Sequence, residues 1–447
     1  MFGGVGGQWI RVLCLSAVWL CGGSTVALSR GVLGVGEPFA KPVTDASIAP
    51  SADVPGPSTV GEATEAIPVD ISGVVVSPKS FNPSVGQIVT IGCKLAVAAV
   101  VSISIYGPNG ELIRELYDEA SLAAGNHRLV WDGKDSEGDI VRDEAYFFVI
   151  EARAPATNDD DVETAEKTAP VVARYDPLEF SGGELINPQE FHFKPKDNSI
   201  SYVLPKPARV RIRAGVDNGP MLNTMVNWQP RVRGLCTEVW RGKDRQGVRH
   251  FSTRPDCFLT SMAYALPENS IIAFGNREES YREWYLREGH KRPKKPDVPR
   301  SPEKPGVMCL HWYKPPHLNR DPGITVTFPE LEQDPSAPNE PVRLAGDSAI
   351  IRVSIPDEAD FAFMDEQKFE MVLFVEDRRI LEAEQSHAPF NWRWDLTSVP
   401  PGLHYLTVNL VSATDHVGTF TALVEVAKET RASLPAPDAS PTTPPED

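Results

Sequence analysis

The chain has 447 residues, and its 44 Lys and Arg residues against 61 Asp and Glu residues give a net charge of -17 and a pI near 5.1. Such a surface repels polyanions, so we expect no sequence-independent binding to nucleic acid or to anionic lipid. The length allows two to four domains, with three as the working number. The 41 prolines and 33 glycines favour strands interrupted by turns over a helical bundle.

The first 27 residues have the composition of an export signal. Arg11 precedes an apolar stretch over residues 12–20, and the small residue Ala27 ends the segment. We predict cleavage after Ala27, no transmembrane span in the mature chain, and a periplasmic or extracellular (cell-surface) location. Two alternatives remain open: the leader stays uncleaved as an anchor, or Cys21 carries a lipid although the bulky Leu20 precedes it.

Segments rich in Pro, Ala, Ser, Thr or charge separate three blocks that are richer in apolar residues. These segments contain too few large apolar residues to offset the entropy of ordering them. The predicted division is a signal peptide, 1–27; a disordered linker, 28–68; domain 1, 69–153; an acidic linker, 154–177; domain 2, 178–275; a long loop or linker with a basic Pro-rich part, 276–341; domain 3, 342–428; and a disordered tail, 429–447.

The first block alternates in polarity as a half-buried sheet does. Ile103 and Ile105 lie on one face of a predicted strand, and Ser104 lies on the other. The Asn-Gly pair at 109–110 is a strong signal for a tight hairpin, and it leads into a partner strand over 111–116. Further short strands follow at similar intervals, which predicts an all-β sandwich.

The second block repeats a tryptophan-marked turn of the first. Residues 131–138 read WDGKDSEG and residues 240–247 read WRGKDRQG, each at a similar distance from an upstream Asn-Pro pair. We therefore predict an internal duplication in which the two turns are equivalent corners. The motif residues are Trp131, Asp132, Gly133, Asp135 and Gly138 in the first copy and Trp240, Gly242, Asp244 and Gly247 in the second. A divergent third copy, marked by a Trp-Asp pair at 394–395, is predicted in domain 3.

This pattern resembles the immunoglobulin-like domain of flagellar hook-capping proteins, a module that is widespread in bacterial secreted proteins. The resemblance rests on the Asn-Pro pair at 82–83, on Tyr-Gly-Pro-Asn-Gly at 106–110, on the corner at 131–138 and on Tyr146. The chain departs from the pattern at residues 143–145, where a glycine commonly precedes the tyrosine. The resemblance implies tandem immunoglobulin-like sandwiches joined by Pro-rich linkers, and it does not transfer a flagellar role.

Acidic residues of the first corner form a candidate cation site. Asp132, Asp135, Glu137 and Asp139 concentrate carboxylate oxygens in one turn, and Ca²⁺ requires oxygen ligands. Only Asp244 is acidic in the second corner, and the spacing is not that of an EF-hand loop. A hydrogen-bonded turn explains the same residues, and it is the preferred interpretation.

A second candidate metal site lies in the basic, Pro-rich segment. Cys309, His311 and His317 offer the thiolate and imidazole ligands that copper or zinc accepts. The alternative is a loop whose aromatic residues cover a domain edge. We expect no cofactor elsewhere, since no haem-attachment motif and no pair of Cys-x-x-Cys motifs occurs.

The cysteines that follow the leader allow a disulfide in an oxidising compartment. Cys236 and Cys257 flank one turn region and form the predicted pair, with free buried thiols as the alternative.

Two side-chain rows have both a binding and a structural interpretation. Trp392 and Trp394 project to one side of a predicted strand, where they stack on a sugar or peptide, or else fill a sandwich core. Arg209, Arg211 and Arg213 line one face of another strand. They capture an acidic partner, or else form a solvated face balanced by nearby carboxylates, which is the preferred interpretation.

None of the common catalytic motifs occurs: there is no nucleophile elbow, zinc-protease helix, phosphate loop or dinucleotide fingerprint. The sequence therefore favours a non-catalytic exported protein whose immunoglobulin-like domains space or dock other envelope or secreted proteins. The alternative is a protein that binds a small ligand, either a carbohydrate or a transition metal.

Overall fold

The computed structural model describes residues 68–155, 172–276, 278–295, 321–331 and 340–427. The predicted leader, most of the linker at 28–68 and the tail lie outside these ranges, as do Cys309, His311 and His317. Within the ranges, no helix is both long enough and apolar enough to cross a membrane.

The first sandwich is assembled from two separate stretches of the chain. Its first stretch contains β1 (Ile71–Ser77), β2 (Ser80–Phe81), β3 (Val89–Leu95), β4 (Ala99–Tyr106), β5 (Leu112–Leu122), β6 (Gly125–Trp131), β7 (Glu144–Arg153) and β8 (Val172–Tyr175).

The second sandwich follows directly in the chain. Its strands are β9 (Leu185–Ile186), β10 (Gln189–Lys194), β11 (Ser199–Leu204), β12 (Ala208–Val216), β13 (Met221–Arg231), β14 (Gly234–Val239) and β15 (Cys257–Ala265).

The chain then returns to the first sandwich before it enters the third. The returning elements are β16 (Ile271–Ala273) and helix α1 (Tyr281–Arg287). The third sandwich contains β17 (Thr325–Thr327), β18 (Val342–Ala345), β19 (Ser348–Ser354), helix α2 (Glu358–Gln367), β20 (Phe369–Val375), β21 (Arg378–Ala383), β22 (Phe390–Asp395), β23 (Gly402–Ser412) and β24 (Val417–Ala427).

The three sandwiches share one strand arrangement. One sheet of each has three strands, in the orders β1-β3-β6, β10-β11-β14 and β17-β19-β22. The facing sheet contains β7-β4-β5 in the first, β15-β12-β13 in the second and β23-β20-β21 in the third. The fold class is therefore all-β, with tandem immunoglobulin-like sandwiches, as the sequence predicts.

Alternating polarity positions each core. In β4, Val101, Ile103 and Ile105 are buried against the facing sheet, while Ser102 and Ser104 are only partly covered. Burying a large aliphatic side chain contributes roughly 1.5–3 kcal/mol, so one apolar face per strand is enough to drive the two sheets together.

The two tryptophan corners make the same side-chain hydrogen bond. The indole Nε1 of Trp131 donates to the carbonyl of Lys134 at 2.9 Å, and that of Trp240 donates to Lys243 at 2.8 Å. Both indoles are buried among aromatic rings. The Trp-Asp turn recurs in the third sandwich, where Asp395 Oδ1 accepts from the amide of Thr397 at 2.9 Å.

The return of the chain changes two predicted boundaries. Strand β16 pairs with β7 and β2 of the first sandwich, so 271–273 belong there and not to domain 2. Tyr281 and Trp284 of α1 lie in the first hydrophobic core, so the predicted linker 276–341 begins with a docked helix. The acidic linker 154–177 likewise ends in β8, which pairs with β7. These elements are short and lack a clear period, which is why the sequence did not indicate them.

We predict that the corner glycines differ in their tolerance of alanine. Gly133 (φ +73°) and Gly138 (φ +91°) both have left-handed backbone, which costs an L-residue about 1–2 kcal/mol. A Cβ on Gly133 would also lie 2.4 Å from Pro83 Cβ, whereas nothing lies within 4 Å of one on Gly138. Gly133→Ala should therefore lower the free energy of unfolding by about 1–3 kcal/mol more than Gly138→Ala.

The second corner supplies a matched repeat of this comparison. A Cβ on Gly242 would lie 2.1 Å from Ser252 Oγ, and one on Gly247 would meet nothing within 4 Å. Urea denaturation of the four single variants measures both differences. Equal losses at the two glycines of either corner would contradict the packing described here.

Candidate functional site

The arginine row of β12 is buried, which corrects the predicted solvated face. Arg209, Arg211 and Arg213 are between 3% and 7% exposed, although they alternate with core residues as the outer face of a strand does. A buried guanidinium requires a paired carboxylate, because desolvation of an isolated charge is costly. The carboxylate partners of all three come from outside the second sandwich.

Arg209 joins the second sandwich to the first. Its Nη2 lies 2.6 Å from Glu144 Oε1, and its Nη1 also donates to the carbonyl of Trp228 at 3.2 Å. Glu144 belongs to β7 and is itself buried. The first sandwich therefore supplies the acid that neutralises this arginine of the second.

Arg213 is held by Asp321, which immediately precedes the third sandwich. The guanidinium of Arg213 donates through Nε at 2.9 Å and through Nη2 to the fully buried carboxylate of Asp321. Thr224 Oγ1 and the amide of Val417 donate to the same carboxylate, at 2.5 and 3.0 Å. Burial alone would raise the pKa of Asp321, but the Arg213 charge and these hydrogen bonds lower it to about 2.

Asp415 pairs with two arginines of the row, Arg211 and Arg213. Its carboxylate accepts from Arg211 Nη2 at 2.5 Å and from Arg213 Nη1 at 3.0 Å. Arg211 also lies over the indole of Trp228, with its guanidinium carbon 4.8 Å from the ring centroid. Asp415 stands in the β23–β24 turn with φ +62°, a conformation that Asp tolerates better than most residues. The turn therefore presents its carboxylate and its carbonyl to one domain face.

A second set of contacts joins the second and third sandwiches. Arg249 binds both carboxylate oxygens of Asp377, at 2.5 and 2.6 Å, and Arg254 adds a third bond at 2.8 Å. The side-chain amide of Asn409 makes two hydrogen bonds to the backbone of Met221, accepting from N at 2.9 Å and donating to O at 2.8 Å. Bidentate contacts of this kind fix direction as well as distance.

The acids of the first corner do lie together, but an arginine already pairs with two of them. Ligand oxygens of Asp135, Glu137 and Asp139 lie within 4.8 Å of one another. Arg292 Nη2 is 2.8 Å from Asp135 and 3.3 Å from Glu137, so a guanidinium stands where a cation would bind. Asp132 is not part of this group, because it pairs with Arg114 at 2.8 Å. These residues therefore do not fit Ca²⁺, and the turn interpretation is the better one.

The predicted disulfide does not form, and Cys236 and Cys257 are both free. Cys236 pairs with Tyr202 in one sheet of the second sandwich, and Cys257 pairs with Val216 in the other. The Cys236 thiol lies 3.6 Å from the carbonyl oxygen of Val232, to which it donates, and makes no bond to Cys257. Burial raises the pKa of both thiols, to about 11 for Cys257.

The two tryptophans of β22 have different surroundings. Trp394 is 3% exposed and belongs to the third core, whereas Trp392 is half-buried. Both line a cavity of about 560 Å³ on the third sandwich, together with His404. The core interpretation therefore holds for Trp394, and Trp392 remains accessible to a ligand.

A buried carboxyl group fastens the returning segment to the first sandwich. Glu111 is fully buried; it accepts a hydrogen bond from Tyr281 Oη of α1 and another from the amide of Asn109 at 3.0 Å. Burial raises the pKa of Glu111 to about 7, although the hydrogen bond from Tyr281 partly opposes that shift. This site was not predictable from the sequence, because Glu111 follows a polar turn and nothing in that pattern marks it as buried.

We predict that the Arg213–Asp321 pair contributes far more to stability than a surface pair. Arg213→Met leaves a buried carboxylate without its counter-ion, which typically costs about 3–5 kcal/mol. Lys206→Met, at the exposed Lys206–Glu184 pair, is the control and should change stability by less than about 1 kcal/mol. Urea denaturation followed by tryptophan fluorescence measures both. Similar losses in the two variants would contradict the role assigned to the buried pair.

We predict that Glu111 makes the protein less stable at alkaline pH. Its pKa is higher in the folded state, about 7, than the ordinary glutamate value of 4.5, so the folded protein holds the proton more tightly. The contribution to stability is fully present below about pH 4.5 and is lost as pH rises through 7, on the order of 1–3 kcal/mol. Glu111→Gln should flatten the difference in unfolding free energy between pH 5 and pH 8.

The exposed Glu115→Gln is the control for this measurement and should leave the pH dependence unchanged. A Glu111→Gln protein that keeps the wild-type dependence would show that another group titrates.

Comparison with known proteins assigns neither a family nor a function. No family model and no curated protein matches the chain. Among solved structures, the endo-β-1,4-mannanase from Thermotoga petrophila matches at 15% identity and a TM-score of 0.17, over 25% of this chain and 20% of that one. A lytic polysaccharide monooxygenase from Jonesia denitrificans matches at 14% identity and 0.16, over 22% and 63%. A 1.5-MDa bacterial ice-binding adhesin matches at 11% identity and 0.16, over 81% and 98%.

The chain therefore covers less than two thirds of the first two structures. Scores this low carry no argument about family, and the immunoglobulin-like architecture is established by the strand orders of the chain itself.

Proposed function

We propose that this chain is a non-catalytic exported scaffold whose three immunoglobulin-like domains hold docking surfaces at fixed positions in an envelope or extracellular assembly. The observation that carries the proposal is the buried arginine row of β12. It connects the second sandwich to Glu144 on one side and to Asp321 and Asp415 on the other.

Buried ion pairs are a costly way to hold domains together unless their geometry matters. Replacing such pairs by apolar residues is often neutral or stabilising, so their value here lies in directional specificity. Flexibly tethered domains would gain nothing from such a constraint. A scaffold that must keep a defined spacing between its surfaces would benefit from it.

The non-catalytic part of the proposal is supported by the pairing of the carboxylates between the sandwiches. Glu144, Asp321 and Asp377 are all engaged by arginines, so they are not available as general acids or bases. We also propose that the domains are of the hook-capping type. The hydrogen-bonded corners at Trp131 and Trp240 support this. Export is supported by the signal-like leader at 1–27.

The docking surface that we propose is the edge of β14. Among the described strands, β14 pairs only with β11, so one side of its backbone is open to another strand. Leu235 and Val239 are 72% and 78% exposed on the face of this strand. Open edges of this kind accept an added strand from a partner, with exposed apolar side chains providing specificity.

We predict that photo-crosslinking in cells captures a partner at this edge. p-Benzoylphenylalanine at position 235 or 239 should give a discrete adduct with another envelope or secreted protein, because it lies on the open strand. Position 85 is the matched control, since Val85 is 70% exposed on the first sandwich, away from β14. Cell fractionation and mass spectrometry of the adducts provide the measurement.

If the domains must keep a fixed orientation to bind a partner, a variant that breaks an interdomain ion pair should also lose that partner. Arg213→Met should reduce recovery of any partner that bridges two domains, while leaving the protein exported. Recovery of the protein in the cytoplasm, or equal adducts at position 85 and at β14, would overturn the proposal.

A further inference from the structure

The third sandwich contains a cavity that the scaffold function does not use. It opens between β21 and β22, which are edge strands of the two facing sheets. Its volume is about 560 Å³, within the range of roughly 300–1,000 Å³ that is usual for small-ligand sites. Residues from both edges and from the following turn line it: Glu376, Arg378, Ile380, Trp392, Val399 and His404.

The tryptophans of β22 make one wall of this cavity because alternate residues share a strand face. Trp394 is buried and joins the core, which anchors β22. Trp392, two residues earlier, is only half-buried and presents an indole to the opening. A flat aromatic ring that is anchored but accessible is a stacking platform for another ring.

Most of the charged groups at this opening already have partners. Arg379 pairs with Glu382 at 2.5 Å, and Asp395 accepts hydrogen bonds from the amide and hydroxyl of Thr397. His404 Nε2 lies 2.7 Å from the carbonyl of Pro400 and therefore donates to it.

Glu376 also has partners, whereas the side chain of Arg378 has none among the described residues. Glu376 Oε1 accepts from the amide of Tyr405 at 3.0 Å and lies 3.5 Å from His404 Nδ1. The side chain of Arg378, by contrast, has no hydrogen bond or ion pair within the described ranges, and it lines the cavity. A guanidinium binds a carboxylate through two parallel hydrogen bonds.

We propose that this cavity binds one ring of an acidic carbohydrate, a pyranose that carries a carboxylate. The indole of Trp392 stacks on the ring, Arg378 binds the carboxylate, and the apolar wall of Ile380 and Val399 covers the carbon face. The net charge of -17 repels an anionic ligand at long range, so binding depends on the short-range contact with Arg378. Arg378 is exposed, so added salt screens that contact and weakens it. The inference is independent of the proposed partner at β14.

Isothermal titration of the purified full-length chain tests this site. The probes are trigalacturonate and, as the uncharged comparison with related rings, galactotriose. Trigalacturonate should bind at least about tenfold more tightly than galactotriose, which corresponds to one good charged contact. The binding should weaken between 50 mM and 500 mM NaCl.

Three variants separate the ligand contacts from effects on folding. Arg378→Ala should lose the preference for the acidic trimer, and Trp392→Ala should abolish binding of both probes, with partial recovery in Trp392→Phe. Arg343→Ala is the matched control, since Arg343 is an exposed arginine on β18, at the opposite edge of the same sandwich. Circular dichroism checks the fold of each variant.

Equal affinity for the two sugars would overturn the assignment of the ligand class. No binding of trigalacturonate at millimolar concentration, or wild-type binding by Arg378→Ala, would overturn the site itself.

Discussion

The constraint on which this structure depends is that the buried arginines of β12 find their carboxylates in other parts of the chain. A guanidinium excluded from water is tolerated only beside a well-placed anion. For Arg209 that anion is Glu144 of the first sandwich, and for Arg213 it is Asp321, just before the third. The charged side chains therefore determine which surfaces of the sandwiches meet.

This constraint also explains why the second sandwich differs from the first. In β4 the residues alternate between buried and partly exposed, whereas every residue of β12 is buried. One face of β12 contacts its own core through Val210 and Ile212. The opposite face, carrying the arginines, is covered by the neighbouring parts of the chain. The same strand position thus makes a free domain face in one copy and an interface in the other.

The fold was predictable from sequence where the signals were local. Each corner has a buried indole that donates to the carbonyl three residues later, with a positive-φ glycine between them. This geometry goes with the same Trp-x-Gly-Lys-Asp pattern at Trp131 and at Trp240. The interface was not predictable, because alternating arginines look the same whether water or a carboxylate faces them. The partners of Arg213 lie 108 and 202 residues away in sequence. The cavity beside Trp392 was indicated only in part, since the sequence did not separate Trp392 from the buried Trp394.

If the arginine row fixes the orientation of the sandwiches, the distance between a site on the first sandwich and a site on the third must be well defined. Spin labels attached through p-acetylphenylalanine at Val85 and Leu403, exposed sites on the first and third sandwiches, avoid the native cysteines. Pulsed dipolar spectroscopy should give a narrow distance distribution in the wild-type chain and a broad one when Arg211 and Arg213 are both replaced by Met. A broad distribution in the wild-type chain, or an unchanged narrow one in the double variant, would contradict the account.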